Sequence, residues 1–270
     1  MTPIRLAIVG STGRMGTAVV RLAATDETFQ IVAALAHPDE PRLGQDVGRI
    51  AGLDPRGVTV QTECTAKCDV MIEFTTPASC QQWAEWCAAA GVALVSGTTG
   101  LQPTQRAALE AAARRVPVVW APNMSVGVNL LLGLVGEVAA CLGVDWDVEI
   151  VETHHRHKLD APSGTAKALL EALCEARGVH AKDVAVYGRG SESGARRPGQ
   201  IGLHALRMGE LVGEHEVLFT SAAESLALRH RAFSRDTFAA GALRAARWLV
   251  GRSSGLYTMR DVLGTNTGSS

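Results

Sequence analysis

The chain has 270 residues, a formal net charge of -1 and 20% charged residues. A chain of this length buries a full core without disulfide or metal staples, and its near-neutral charge gives no general field for gathering nucleic acid or anionic lipid. No apolar stretch reaches the roughly 18–20 residues that span a bilayer, and the first residues carry no basic region or cleavage site of a secretory signal, so a cytoplasmic protein without nucleic-acid or membrane partners is expected.

In chain order, short apolar runs alternate with helix-like stretches through the first half. Residues 4–9, 30–35, 69–74, 93–96 and 116–120 are brief and rich in Val, Ile, Leu or Ala, as buried parallel strands are. Between them, residues 15–24, 79–90 and 103–114 are rich in Ala, Gln, Glu and Arg, and the last opens on Pro103 at a first helical turn. This alternation predicts βαβ units around a parallel sheet.

After Trp120 the texture changes. Residues 129–142 predict a long apolar helix, 147–152 a strand, and 163–177 a helix stopped by Gly178. Residues 200–207, 214–220 and 226–233 interleave charged with apolar side chains, as a half-exposed antiparallel sheet does. The expected fold is therefore α/β: a Rossmann-type parallel-sheet domain plus a second α+β domain with a mostly antiparallel sheet. A last helix over 235–250 lines up Phe238, Ala242, Ala246 and Leu249, and its periodicity alone does not say which domain it covers. Residues 264–270 read as a disordered tail. The six cysteines are scattered. Cys64 and Cys68 lie close, but no second pair completes a zinc site, and reduced, mostly buried thiols are expected.

Two segments carry chemistry. Gly10-Ser11-Thr12-Gly13-Arg14-Met15-Gly16 sits between the first strand and first helix, where backbone N–H groups and the positive helix end meet a dinucleotide pyrophosphate. The spacing is GxxGxxG rather than GxGxxG, so position after a strand argues more than pattern. Gly97-Thr98-Thr99-Gly100 and Ala121-Pro122-Asn123-Met124 follow two further strands, at the carboxyl edge where open α/β sheets bind ligands; each alone reads equally well as a plain turn.

The second segment, His154-His155-Arg156-His157-Lys158, is a local positive patch on a neutral chain. Its cations suit carboxylates, and its His and Lys can deliver a proton during hydride addition. Pro162-Ser163-Gly164-Thr165 then starts a helix whose free N–H groups suit another carboxylate. Metal ligation by these histidines with Glu152 matches no usual zinc spacing, so no metal is expected.

In these segments the chain resembles the 4-hydroxy-tetrahydrodipicolinate reductase family, also called dihydrodipicolinate reductases, of the diaminopimelate route to lysine. The likeness runs from Gly10–Gly16 through Gly97–Thr99, Pro122–Asn129, Glu152–Thr165 and Pro198–Gly202 to Gly213-Glu214-His215. It implies an NAD(P)H-dependent reductase of a small dicarboxylate. The dinucleotide-binding domain would comprise residues 1–125 and 235–270, and residues 126–234 a substrate-binding and tetramerisation domain, closing together on substrate. His154 would be the general acid and Lys158 the catalytic cation, with His155, Lys158, Gly164 and Thr165 on the substrate carboxylates. The cofactor would lie along Gly10, Ser11, Thr12, Gly13, Arg14, Met15, Ala36, His37, Gly97, Thr98, Thr99, Ala121, Pro122, Asn123 and Met124.

The chain departs from the family where an acidic residue and Arg often follow the second strand; here Ala36 and His37 stand. An acid there would accept from the ribose 2′-hydroxyl and repel a 2′-phosphate. Pro38 and Pro41 suggest that Asp39 and Glu40 turn away from the strand end, so dual use is expected, with NADPH at least as good as NADH. The competing readings are another nicotinamide-dependent amino or imino acid dehydrogenase, against which the His154–Thr165 run argues, and a nucleotide sensor without catalysis, which would need neither His154 nor Lys158.

Overall fold

A computed structural model describes residues 2–265. The chain divides into two compact units, Met1–Val126 with Arg235–Ser270, and Gly127–Ser234. The elements of the first unit are β1 (Ile4–Val9), α1 (Arg14–Ala23), β2 (Phe29–Leu35), α2 (Val47–Ile50), β3 (Val60–Gln61), β4 (Val70–Glu73), α3 (Pro77–Ala90), β5 (Ala93–Ser96), α4 (Pro103–Ala113) and β6 (Pro117–Trp120). The second unit holds α5 (Val126–Leu142), β7 (Asp147–His154), α6 (Gly164–Arg177), α7 (Ala181–Val184), β8 (Ala185–Tyr187), β9 (Ile201–Arg207), β10 (Gly213–Thr220) and β11 (Ser225–Ala232). The chain then returns to the first unit with α8 (Asp236–Leu249), β12 (Gly255–Tyr257) and α9 (Met259–Leu263).

The first unit is a seven-stranded parallel sheet in the order β12-β6-β5-β4-β1-β2-β3. Its strands are covered on both faces, which is why they read as largely apolar runs. One face buries Leu6, Ile8, Val70 and Ile72 under α1 and α8; the other buries Ala7, Val9, Met71 and Leu94 under α3 and α4. The C-terminal helix thus completes the first unit, through Ala239, Ala242, Ala246 and Leu249. From β1 the chain goes to β2 on one side and returns to β4 on the other, so the carboxyl end of β1 is the switch point at which open α/β sheets take ligands.

The sheet of the second unit runs β11-β10-β7-β9-β8. β10 is antiparallel to both β7 and β11, whereas β7, β9 and β8 are parallel neighbours. The connection from β7 to β9 carries α6, a crossover that parallel pairing requires and that alternation in 201–207 does not reveal. Helix α6 covers this sheet with Ala166, Leu169, Leu170 and Leu173 against Ile150, Ile201, Val217 and Phe219. Of the expected disordered tail, Gly264 closes α9 at φ +68 and the Thr265 N–H donates to Arg260; 266–270 lie outside the described residues.

Candidate active site

In the second unit the site is built on the end of β7. Alternation along a strand points Glu152 and His154 to one side and Thr153 to the other. Glu152 has no exposed surface, and its carboxylate is the hub of the site. His154 Nδ1 lies 2.5 Å from Oε2, Arg207 reaches both oxygens at 2.9 Å, and the Ser163 N–H donates to Oε1 at 3.0 Å. Parallel register sets Arg207 of β9 opposite His154, so the sheet itself delivers the guanidinium. Burial pushes the Glu152 carboxyl up, but the hydrogen bonds from His154, Arg207 and Ser163 outweigh it and bring it down to about 2.

The bond to Glu152 fixes the His154 ring with Nδ1 toward the carboxylate and leaves Nε2 for other chemistry. Facing Nε2 is Gly213, where a Cβ would lie 2.9 Å from that nitrogen, so only glycine keeps the space open. His215, paired with Glu152 across β7 and β10, packs edge-on to His154 with ring centres 5.2 Å apart. Its Nε2 lies 3.0 Å from Ser163 Oγ. Burial first, then the charge of His154, push His215 down to about 4, so it is neutral at neutral pH. Ser163 in turn caps α6, its Oγ accepting from the Ala166 N–H at 3.2 Å.

The basic segment does not act as one patch. His154 is buried, His155 and Lys158 are half-buried, and Arg156 and His157 are exposed, with His157 3.6 Å from Glu210. Lys158 Nζ is paired with Asp160 at 2.7 Å, which balances part of the positive charge. Gly164 and Thr165 form the first turn of α6 immediately after the cap.

In the first unit the glycine turn occupies the switch point. Gly10 has φ +70, and a Cβ there would lie 2.6 Å from the Phe74 carbonyl oxygen, so both the bend and the close approach require glycine. Gly13 is the N-cap of α1 and supplies no side-chain cap, leaving the first N–H groups of a ten-residue helix without a protein partner from that residue. This cradle fits a dinucleotide pyrophosphate. The other expected contacts divide into side chains that face the protein and groups that do not. Ser11 Oγ donates to the Leu35 carbonyl and Met124 is core, 1% exposed, whereas Gly13, Arg14, His37, Thr99 and Pro122 are exposed. Thr98 is buried, Gly97, Met15, Ala36 and Asn123 are half-buried, and the Ala121 N–H donates to Ser96.

The loop after β2 departs from the sequence reading. Glu40 turns back instead of away: its carboxylate accepts from Thr12 Oγ1 at 2.7 Å and from Arg42 Nε at 2.6 Å. Those hydrogen bonds, that of Arg42 foremost, bring Glu40 down to about 2. The prolines on either side shape a tight loop that delivers Glu40 to the glycine turn. Sequence reasoning also assigned no role to Arg207, His215 or the pairing of Glu152 with His154; only the Glu-x-His spacing at a strand end signalled the last. Among the described residues no group of three His, Cys, Asp or Glu could hold a metal ion, and no helix is long and apolar enough to cross a membrane.

Comparison with known proteins agrees on both units. The family model described as "Dihydrodipicolinate reductase, N-terminus" matches residues 4–124, and that described as "Dihydrodipicolinate reductase, C-terminus" matches 127–263. A curated 4-hydroxy-tetrahydrodipicolinate reductase of Nitrosomonas europaea is 45% identical over 98% of this chain and 99% of its own. One of Thiobacillus denitrificans is 48% identical over 97% and 98%. Among solved structures, a dipicolinate-bound dihydrodipicolinate reductase from Paenisporosarcina aligns with TM-score 0.77 at 28% identity, over 95% of this chain and 98% of that one. An amine dehydrogenase from Mycobacterium smegmatis, at TM-score 0.65 and 16% identity, shares the fold alone.

Proposed function

The chain belongs to the dihydrodipicolinate reductase family, NAD(P)H-dependent oxidoreductases of the diaminopimelate route to lysine, and from that premise we propose how its residues reduce 4-hydroxy-tetrahydrodipicolinate to tetrahydrodipicolinate. The observation that carries the reading is the buried Glu152–His154 pair, with Nδ1 fixed on a carboxylate and Nε2 facing the space left by Gly213.

When bound, the reduced nicotinamide supplies a hydride. The protein must supply the matching proton and hold two carboxylates still. His154 is the proton donor: Glu152 sets the orientation of its ring through Nδ1, while Arg207 and the Ser163 N–H keep Glu152 itself charged. Lys158 is the catalytic cation. One substrate carboxylate sits on Lys158 and His155, with Lys158 exchanging Asp160 for it; the other sits on Gly164 and Thr165 at the start of α6, where the helix dipole favours an anion.

The first unit is the dinucleotide-binding domain in this reading. Gly10, Ser11, Thr12, Gly13, Arg14 and Met15 hold the pyrophosphate. Ala36 and His37 border the adenine ribose, and Gly97, Thr98, Thr99, Ala121, Pro122, Asn123 and Met124 line the nicotinamide half, mostly by backbone. Glu40 joins the ribose pocket through Thr12. Because Arg42 neutralises Glu40 and exposed Arg14 offers a further cation, a 2′-phosphate meets little net repulsion, and NADPH is used at least as well as NADH. The second unit is the substrate and tetramerisation domain. Its edge strand β11, largely exposed, and Phe233, 87% exposed, support assembly into a homotetramer, which this reading places in the cytoplasm.

The test is direct. Purified protein is given freshly generated 4-hydroxy-tetrahydrodipicolinate from the preceding synthase, and loss of reduced nicotinamide is followed optically. Turnover dependent on all three components is expected; oxidation at the rate of the substrate-free blank would overturn the reading.

A further inference from the structure

Glu73 ends β4 with no exposed surface, yet the proton transfer and phosphate contacts above make no use of it. Removing a carboxylate from water is among the costliest burials a fold contains, and its donors must therefore be fixed. Here they are hydroxyls: Thr75 Oγ1 and Thr98 Oγ1 at 2.7 Å, and Ser96 Oγ at shorter range.

A carboxylate only accepts, so each hydroxyl turns its single proton inward. A lone pair of Thr98 Oγ1 is then left to accept from the Thr75 N–H at 2.9 Å. The segments following β4 and β5 are tied together through that oxygen. The Gly97 N–H donates to the Glu73 carbonyl at 3.0 Å, and Trp120 Nε1, from the end of β6, donates to the Thr98 carbonyl at 3.1 Å. Glu73 thus sits under the junction of three adjacent strand ends on the carboxyl edge of the sheet. These strands lie on the β4 side of the switch point, the side that takes the second mononucleotide of a dinucleotide. Within that junction, the N–H groups of Thr98 and Thr99 donate to no protein acceptor among the described residues, and Thr99 is exposed.

We propose that Glu73 is a positioning residue for the cofactor: through Thr75 and Thr98 it holds the Gly97–Thr99 loop with its unpaired N–H groups toward the nicotinamide half. The proposal rests on the reading that this loop contacts the cofactor. Replacing the carboxylate with an amide forces at least one hydroxyl to reverse its proton and loosens the Thr98–Thr75 link, without changing the second unit.

The test compares Glu73→Gln with wild type for dissociation constants of NADPH and of dipicolinate, for steady-state constants, and for melting temperature. The Kd and KM for NADPH rise about tenfold, the loss expected for one hydrogen bond to a charged group. Dipicolinate affinity stays within about twofold, and the melting temperature is retained. Where Glu73→Gln does not fold, Thr75→Val removes a single donor and gives the same pattern, and Thr75→Ser restores it. Gly13→Val reports separately on the cofactor cradle. Weaker NADPH binding in Gly13→Val but unchanged binding in Glu73→Gln or Thr75→Val overturns the role of Glu73 and leaves the cofactor reading standing. No effect in Gly13→Val overturns both. Equal loss of both ligands together with a lower melting temperature also overturns the proposal, since it marks Glu73 as a fold staple.

Discussion

Glu152→Gln keeps the shape of β7 and removes one negative charge from the hub of the site. In the native chain this carboxyl is held from 4.5 down to about 2, which at roughly 1.4 kcal/mol per pH unit corresponds to about 3 kcal/mol of interaction with His154, Arg207 and the Ser163 N–H. That figure is of the order of the ~3–5 kcal/mol lost when one partner of a buried ion pair is removed. Two consequences separate. The Arg207 guanidinium loses its bidentate partner, which lowers stability. The His154 ring loses the carboxylate that fixes its orientation as proton donor, and kcat falls by about 10²- to 10⁴-fold. The proposed cofactor cradle belongs to the other unit, so NADPH affinity is expected to be unchanged. Steady-state kinetics and cofactor titration measure this: kcat falls and the Kd of NADPH stays constant. A variant that retains kcat within about threefold of wild type, against the loss expected of general acid catalysis, would refute the role assigned to the Glu152–His154 pair.

Thr165→Val is expected to weaken substrate KM more than kcat, because a carboxylate held at the start of α6, as proposed, is bound in ground and transition states alike; an unchanged KM in steady-state assays contradicts that site. Glu40→Ala raises kcat/KM for NADPH relative to NADH, and Arg42→Ala, which leaves Glu40 uncompensated beside Thr12, moves the ratio toward NADH; a wild-type preference for NADH above about tenfold would sink the dual-use reading. The chain also loses stability on acidification in two windows. His215 is held down from 6.5 to about 4, so its contribution is full above pH 6.5 and is lost as pH falls toward 4; Glu152, held down from 4.5 to about 2, contributes fully above pH 4.5 and is lost as pH falls toward 2. His215→Gln therefore flattens the decline of unfolding free energy between pH 6.5 and 4 by an amount on the order of 3 kcal/mol, read by denaturant titration, and an unaltered slope contradicts a neutral buried His215.

Much of the parallel sheet was legible because strands covered on both faces leave short, largely apolar runs, as 4–9 (Arg5 apart) and 93–96 do. The short elements β3, β8, β12 and α9, the strands among them only two or three residues long, present too few periods to register. At the site, His154 stood out by the density of its neighbours, but what makes it chemically distinct is non-local. Arg207 lies 55 residues from Glu152 in sequence and arrives by parallel register, which a single strand's pattern does not encode. Glu40 was misread for a related reason: Pro38 and Pro41 signal a turn, and the direction in which a turn delivers the residue between them depends on Thr12 and Arg42 as partners.

In the proposed mechanism, reduction proceeds with His154, oriented by Glu152, as proton donor. Single-turnover reduction by His154→Ala, with enzyme and NADPH in excess over 4-hydroxy-tetrahydrodipicolinate, isolates that step from product release. The chemical step is expected to slow by at least about 10²-fold, with NADPH bound as in wild type. A rate above half that of wild type would contradict it.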